Sequence, residues 1–178
     1  ASGIDALVKI IAINNVTINT FDDDGTNSGG QATATNFSPL FTTNDGVNPG
    51  YIDWEIKFVQ TGTTTPVRSD FSVTATDIDG TDLGNGVTIV DYYGFAQSVS
   101  NTVQAGNNLD PIFTQGDYEI FRSAVTQDAN GIFDIDHIAY ITYKYTSVFQ
   151  VRSGSFPTGG YSNPRLVEFN FTQCLNQE

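Results

Sequence analysis

The acidic residues of one short segment could bind a metal ion. Asp77, Asp79 and Asp82 follow the strand-like residues 70–76, with Gly80 between them. Side chains two positions apart share one face of a strand, and glycine permits a sharp turn, so the three carboxylates should converge. No Lys or Arg lies within this segment. Carboxylate oxygens are preferred ligands of Ca²⁺, and residues 77–82, called the calcium loop below, therefore predict a calcium site.

Other acidic residues extend the set of candidate calcium ligands. Asp91 can reach a cluster from a neighbouring strand, and a second acidic loop offers Asp22 and Asp24. The spacing does not match an EF-hand, which needs a later Gly and a Glu. With about 1 mM calcium and a Kd of about 0.1 mM, binding would add about 1.4 kcal/mol of stability. The alternative stays open that these residues simply favour turns.

The chain has strand patterns and almost no helical periodicity. In residues 51–59, Ile52, Trp54, Ile56 and Phe58 alternate with polar residues, which predicts one face in the core. The other predicted strands are residues 6–20, 32–37, 69–76, 87–93, 98–103, 118–122, 138–145, 147–152 and 166–172. The predicted loops include residues 42–49, 106–116 and 154–160. This pattern predicts an all-β fold, an antiparallel, jelly-roll-like β-sandwich that forms one domain over residues 1–178.

Charge and cysteine content limit the classes of partner. Twenty acidic and seven basic residues give a formal net charge of -13. Such a chain repels nucleic acid and anionic membrane surfaces, so neither is an expected partner. No apolar run is long enough for direct membrane insertion. Cys174 is the single cysteine, which rules out an intramolecular disulfide and leaves metal as the alternative stabiliser.

Candidate catalytic residues are few. His137 is the only histidine, so a tetrahedral zinc site is not expected, and no nucleophile motif accompanies it. Two facing carboxylates could hydrolyse a glycosidic bond, but no acidic pair lies in a recognisable motif. The sequence thus favours a protein that is not an enzyme, with a polysaccharide-degrading enzyme as a remaining alternative.

Several tyrosines are candidates for stacking against sugar rings. Tyr93 and Tyr161 lie beside glycines in predicted loops or strand ends, and Tyr92 follows Asp91. Trp54 shares the predicted core face and is a weaker candidate. The alternative that each tyrosine belongs to the core or its rim stays open.

Three segments carry a resemblance to a known class of module. They are residues 54–67, residues 71–80, and residues 145–149 together with Arg165 and residues 169–171. Residues 51–172 thereby resemble modules of large secreted or cell-surface proteins of flavobacteria, of the adhesin-like and gliding-motility-associated type. The resemblance implies an extracellular β-module that is part of a larger exported protein. The leading prediction is a calcium-supported module for adhesion or carbohydrate binding, whose partner is a glycan or a cell-surface ligand. The alternative is a passive spacer domain of a long surface protein.

Overall fold

The computed structural model describes residues 3–25, 36–97, 101–126 and 134–174, in which β-strands are the main secondary structure. The strands are β1 (Ile4–Asn14), β2 (Val16–Thr20), β3 (Leu40–Thr43), β4 (Gly50–Gln60), β5 (Ser69–Thr76), β6 (Gly80–Asp82), β7 (Thr88–Ala96), β8 (Asn101–Ala105), β9 (Leu109–Gln115), β10 (Tyr118–Ser123), β11 (Ala139–Thr146), β12 (Val148–Pro157), β13 (Arg165–Leu166) and β14 (Glu168–Cys174). A short 3₁₀ helix, Ile135–His137, precedes β11. No helix in these ranges has the length and apolar character that crossing a membrane requires.

The strands form three antiparallel sheets. The largest has the order β1-β4-β12-β7-β10-β9, with β6 added beside β7. The second has the order β14-β5-β11-β8, and the third, smaller sheet has the order β13-β3-β2. The prediction of an all-β antiparallel sandwich is confirmed.

The connectivity is that of a jelly roll. The outgoing strands β4, β5 and β7 pair with the returning strands β12, β11 and β10, respectively. The chain thus behaves as one long hairpin that is rolled up, so that from β4 to β12 it passes back and forth between the two large sheets. This arrangement brings residues far apart in sequence onto neighbouring strands.

The core lies between the inner faces of the sheets. Ile52, Trp54, Ile56 and Phe58 on β4 are all buried there, which confirms the predicted alternation. The polar edge of the Trp54 ring is satisfied by a hydrogen bond from Nε1 to Oγ of Ser153, at 2.9 Å. Burying this polar group without a partner would cost free energy.

Residues 6–20 form two strands in two different sheets, where one strand region was predicted. Asn15 separates them with a φ of 52°, in the left-handed region that interrupts a strand and that asparagine tolerates. Its side-chain nitrogen donates to the carbonyl of Asn48 at 3.1 Å. Parts of the predicted strands 32–37 and 98–103 lie outside the described residues.

Two predicted loops are largely strand, and the prediction was wrong there. β9 lies inside residues 106–116, and β12 extends to Pro157. A Cβ on Gly154 would lie 2.4 Å from the carbonyl oxygen of Gly50 and 2.4 Å from the Tyr92 ring. This glycine therefore serves close packing within the sheet and not a turn. Residues 42–43, also predicted as loop, belong to β3.

Candidate functional site

The predicted calcium ligands Asp79 and Asp91 come together, and an arginine lies between them. Nε of Arg165 donates to both carboxylate oxygens of Asp91, at 3.0 and 2.9 Å, and Nη2 donates to Asp79 at 2.7 Å. Nη1 of the same guanidinium donates to Oγ1 of Thr81 at 3.3 Å. We call Asp79, Asp91 and Arg165 the Asp–Arg165 cluster. β6 and β7 position the acids, because the amide of Asp91 donates to the carbonyl of Asp79 at 2.8 Å.

The electrostatics of the Asp–Arg165 cluster differ from the prediction, which assumed that no basic residue lies near. Burial, as the main cause, raises the pKa of Asp91 to about 7. The charges of Asp79 and Asp77 raise this pKa further, whereas Arg165 lowers it. Burial disfavours the charge on Arg165, but the carboxylates of Asp91 and Asp79 outweigh it and raise the pKa of the guanidinium. One arginine thus offsets several buried or half-buried acids.

Asp77 lies near the Asp–Arg165 cluster, since its charge acts on both Asp91 and Arg165. The remaining predicted calcium ligands make separate contacts. The exposed Asp82 accepts a hydrogen bond from the amide of Gly84 at 2.7 Å, within the turn that follows β6. Asp22 accepts from the amide of Ser38 at 2.9 Å, and Asp24 is exposed. Within the described ranges, no three His, Cys, Asp or Glu side chains are grouped so that they could hold a metal ion. Calcium binding stays a prediction, and at Asp79 a cation would have to compete with Arg165.

Two of the three predicted sugar-stacking tyrosines are buried, so their rings cannot stack on a ligand. The Tyr93 hydroxyl donates to the carbonyl of Thr76 at 3.1 Å and accepts from the amide of Glu168 at 3.2 Å. The Tyr92 hydroxyl donates to the carbonyl of Gly50 at 3.3 Å. The reason is the continuation of β7 to Ala96, which places both rings within the sheet. Tyr161 is half-buried in the loop after β12 and stays a candidate.

A second buried ion pair was missed by the sequence reasoning. Nε and Nη2 of Arg152 donate to the two oxygens of Asp53, at 2.6 and 2.8 Å. The guanidinium carbon lies 3.8 Å from the centroid of the Tyr51 ring and 4.5 Å from that of Tyr118. Burial opposes the charge of Arg152, but the hydrogen bonds and charge of Asp53 outweigh it and raise the pKa. The sequence signal was present, since Asp53 faces away from the core on β4, but its partner is 99 residues away.

A cleft of about 450 Å³ opens on the outer face of the largest sheet. We call it the outer cleft. It is lined by Val90 from β7, Arg122 from β10 and Phe156 from β12, with Val47 and Pro49 from the connection between β3 and β4. Because the adjacent Phe121 belongs to the core, Arg122 points to the opposite face of its strand. Sequence reasoning did not single out these residues.

Hydroxyl groups from three segments also line the outer cleft. They belong to Thr88, Ser123, Thr126 and Thr158. Thr158 is held against β7, because its Oγ1 accepts from the amide of Thr88 at 2.9 Å and lies 3.0 Å from the Thr88 hydroxyl. The cleft therefore combines apolar surface, hydroxyl groups and one guanidinium, which suits binding better than covalent chemistry.

The loop that carries Val47 into the outer cleft is ordered by Asp45. The Asp45 carboxylate accepts from the amides of Val47 and Asn48 at 3.0 and 2.9 Å, and from the Asn48 side chain at 2.8 Å. These bonds, from the Asn48 side chain first and then from the two amides, hold the pKa of Asp45 well below its usual range. The loop is thus stabilised by its own hydrogen bonds.

The described side-chain contacts of the single histidine are with Asp134, three residues before it, and with Asn108, just before β9. Nδ1 of His137 lies 3.5 Å from Oδ2 of Asp134, and Nε2 lies 3.4 Å from the side-chain nitrogen of Asn108. The 3₁₀ helix before β11 is capped by Asp134, whose carboxylate accepts a hydrogen bond from the amide of Asp136 at 3.1 Å. Among the described contacts of the imidazole ring there is no Ser, Thr or Cys side chain that it could activate as a nucleophile.

Comparisons with known proteins give a likeness in fold. No family matches the chain, and no curated protein sequence matches it. Among solved structures it is similar to the N-terminal domain of the Streptococcus gordonii adhesin Sgo0707, with 12% identity and a TM-score of 0.50, over 96% of this chain and 43% of that one. The adhesin domain of PrgB from Enterococcus faecalis bound to DNA is also 12% identical, with a TM-score of 0.44, over 86% of this chain and 58% of that one.

The chain spans less than two thirds of the length of either structure. Neither concerns flavobacteria or gliding motility, so that part of the predicted resemblance stays a prediction. At this identity the likeness to the Sgo0707 domain concerns the fold, and it places the jelly-roll sandwich among architectures that a bacterial adhesin uses.

Proposed function

We propose that this chain is a non-catalytic binding module of a bacterial surface adhesin, displayed outside the cell, that holds a glycan in the outer cleft. The observation that carries the proposal is the composition of the cleft. Apolar side chains such as Val90 and Phe156 suit the C–H faces of a sugar ring, and the neighbouring Thr and Ser hydroxyls suit its hydroxyl groups. A volume of about 450 Å³ is in the range of small-molecule sites.

The fold and the buried acids support a binding role over catalysis. The sandwich of the Sgo0707 adhesin domain is similar, which favours a surface module. Asp79 and Asp91 are the acids that a glycosidase would use if they flanked a substrate, but both are buried and engaged by Arg165. A carboxylate in that state cannot reach a glycosidic bond.

A glycan array with the intact chain tests this proposal. Binding to at least one glycan class is expected, and it should be lost in Ala124→Trp, which places a large ring at an exposed residue of the cleft. Thr64→Trp, in the exposed turn between β4 and β5, is the matched control and should bind as the unmodified chain does. Binding that survives Ala124→Trp would move the ligand elsewhere, and Tyr161 would be the next residue to change.

An assembly or spacer domain is the second candidate. Strand β1 is an edge strand of the largest sheet, and its side chains Leu7, Ile11 and Ile13 are exposed. Apolar side chains at an open edge favour packing against another domain. An array with no bound glycan would favour this candidate over the first.

Calcium support of the calcium loop is a separate proposal, and it does not depend on either candidate. The charges of Asp77 and Asp79 lie together near Arg165, which leaves an excess of negative charge for a cation to offset. Its test is the dependence of stability on calcium.

A further inference from the structure

Three arginines lie on the strands of this sandwich, and only two of them have an acidic partner in the described part of the chain. Arg165 is paired with Asp79 and Asp91, and Arg152 is paired with Asp53. The side chain of Arg122, on β10, makes neither an ion pair nor a hydrogen bond there, and its Nε is buried without a partner. A buried guanidinium nitrogen that donates to nothing is costly, and it is unexpected in a chain with a net charge of -13.

The described contact of Arg122 is with an aromatic ring in the outer cleft. Its guanidinium carbon lies 5.8 Å from the centroid of the Phe156 ring, which in turn packs on Tyr92 at 4.6 Å between ring centroids. The ring contact orients the planar fork without using its hydrogen-bond donors. The donors of the two Nη groups, unlike the buried Nε, are therefore left for a group that enters the cleft.

We propose that Arg122 is the anchor for a carboxylate group of an acidic sugar, such as a uronic acid, bound in the outer cleft. This rests on the proposed function and adds the ligand class. A guanidinium fork donates two parallel hydrogen bonds to a carboxylate, and such bonds are stronger than those between neutral groups. The hydroxyl side chains around Arg122, among them Thr88 and Thr158, favour a hydroxylated ligand over an acidic peptide.

The surroundings of Arg122 permit an incoming anion. Its cross-strand neighbour on β9 is the exposed Asp110, which forms no ion pair with it. Asp110 repels an anion without occupying the donors of the guanidinium, so Asp110→Asn should tighten binding of an acidic sugar a few-fold. It should leave binding of a neutral sugar unchanged.

Binding of three matched sugars to the intact chain tests the assignment. Methyl glucuronide carries a carboxylate where methyl glucoside carries a hydroxymethyl group, and glucuronamide carries an uncharged amide. Each is titrated by NMR, with the side-chain Nε–H resonance of Arg122 as the local readout. We expect methyl glucuronide to shift that resonance and to bind about 10- to 100-fold more tightly than the two neutral sugars.

Arg122→Gln is the decisive variant, and Arg68→Gln is its control with the same change of charge at an exposed residue outside the cleft. Because the Arg122 side chain donates no hydrogen bond to any described residue, Arg122→Gln should keep the circular dichroism spectrum and melting temperature. It should lose the preference for the glucuronide, whereas Arg68→Gln should keep it. A preference that survives Arg122→Gln, equal binding of all three sugars, or tighter binding of a glutamate-rich peptide than of the glucuronide would overturn the inference.

The two proposals fail in different ways. If the glycan array shows binding that Ala124→Trp abolishes but Arg122→Gln leaves intact, the glycan-binding function stands and the carboxylate anchor is wrong. If the array stays blank and none of the three sugars perturbs Arg122, both are wrong.

Discussion

Removing the charge of Asp91 should flatten the pH dependence of stability. Asp91 is fully buried beside Arg165, and burial together with the charges of Asp79 and Asp77 raises its pKa to about 7 from an ordinary value of 3.8. Asp91→Asn keeps the shape of the side chain and can still accept a hydrogen bond from Arg165. It removes the group that takes up a proton on acidification.

The sign and size of the effect follow from this shift. Between the unfolded and folded pKa values the folded chain binds more protons at Asp91, so the free energy of unfolding rises as the pH falls from 7 towards 4. It is lowest above pH 7, where Asp91 is ionised in both states. With one pKa unit equal to about 1.4 kcal/mol, acidification from about pH 8 to about pH 5 should add about 2 to 3 kcal/mol.

Urea unfolding followed by the fluorescence of Trp54, the single and buried tryptophan, measures this quantity. The unmodified chain should gain stability from pH 8 to pH 5, and Asp91→Asn should lose most of that gain. Asp70→Asn is the control, because Asp70 accepts from the amide of Tyr145 and from Lys144, which lower its pKa, so that it titrates below this window. At pH 8 both variants remove one negative charge from the folded chain, so Asp70→Asn controls for the general effect of losing an acid. The same gain in Asp91→Asn as in the unmodified chain would refute the reasoning.

Three further predictions concern stability. Arg152→Ala should lower the free energy of unfolding by about 3 to 5 kcal/mol, because it leaves the carboxylate of Asp53 buried without its partner; a loss below about 1 kcal/mol in urea unfolding would contradict the assigned ion pair. Gly154→Ala should lower the free energy of unfolding by about 1 to 3 kcal/mol, because the new Cβ would lie 2.4 Å from the carbonyl oxygen of Gly50. An unchanged melting temperature would show that the two strands lie further apart. If the calcium loop binds an ion, about 1 mM calcium should raise the melting temperature by about 2 to 8 °C relative to chelator. Asp82→Asn should abolish that rise while leaving Arg165 and its partners in place. Equal melting temperatures in calcium and in chelator would contradict the calcium proposal.

Local patterns were sufficient for the strands whose burial alternates cleanly. Residues 51–59 were predicted as a strand with Trp54 inward, and the structure has β4 there with that face buried. The prediction failed where one residue changes the path of the chain, as at Asn15, or where glycine serves close packing, as at Gly154. In both cases the deciding contact comes from another strand, and a window along the sequence does not contain it.

In the candidate sites, too, the sequence predicted some features and missed those that depend on distant residues. The sequence predicted that acids near residue 79 gather and that Asp91 joins them, and Asp79 and Asp91 do come together. It did not predict the positive charge between them, since Arg165 is 86 residues from Asp79. Tyr92 and Tyr93 lie at the end of the predicted strand 87–93 and were candidates for sugar stacking, but both are buried because β7 continues to Ala96.

The amino-acid sequence by itself determined that this chain is an acidic all-β sandwich, because alternation and turn residues act over a few neighbours. Only the tertiary structure decided which arginine faces which acid, because the rolled hairpin brings together partners that are 74 to 99 residues apart in the sequence. It likewise decided that Arg122 meets an open cleft and an aromatic ring, and not a carboxylate. Charge pairing depends on distance in space, and that distance is a property of the strand order and not of the local sequence.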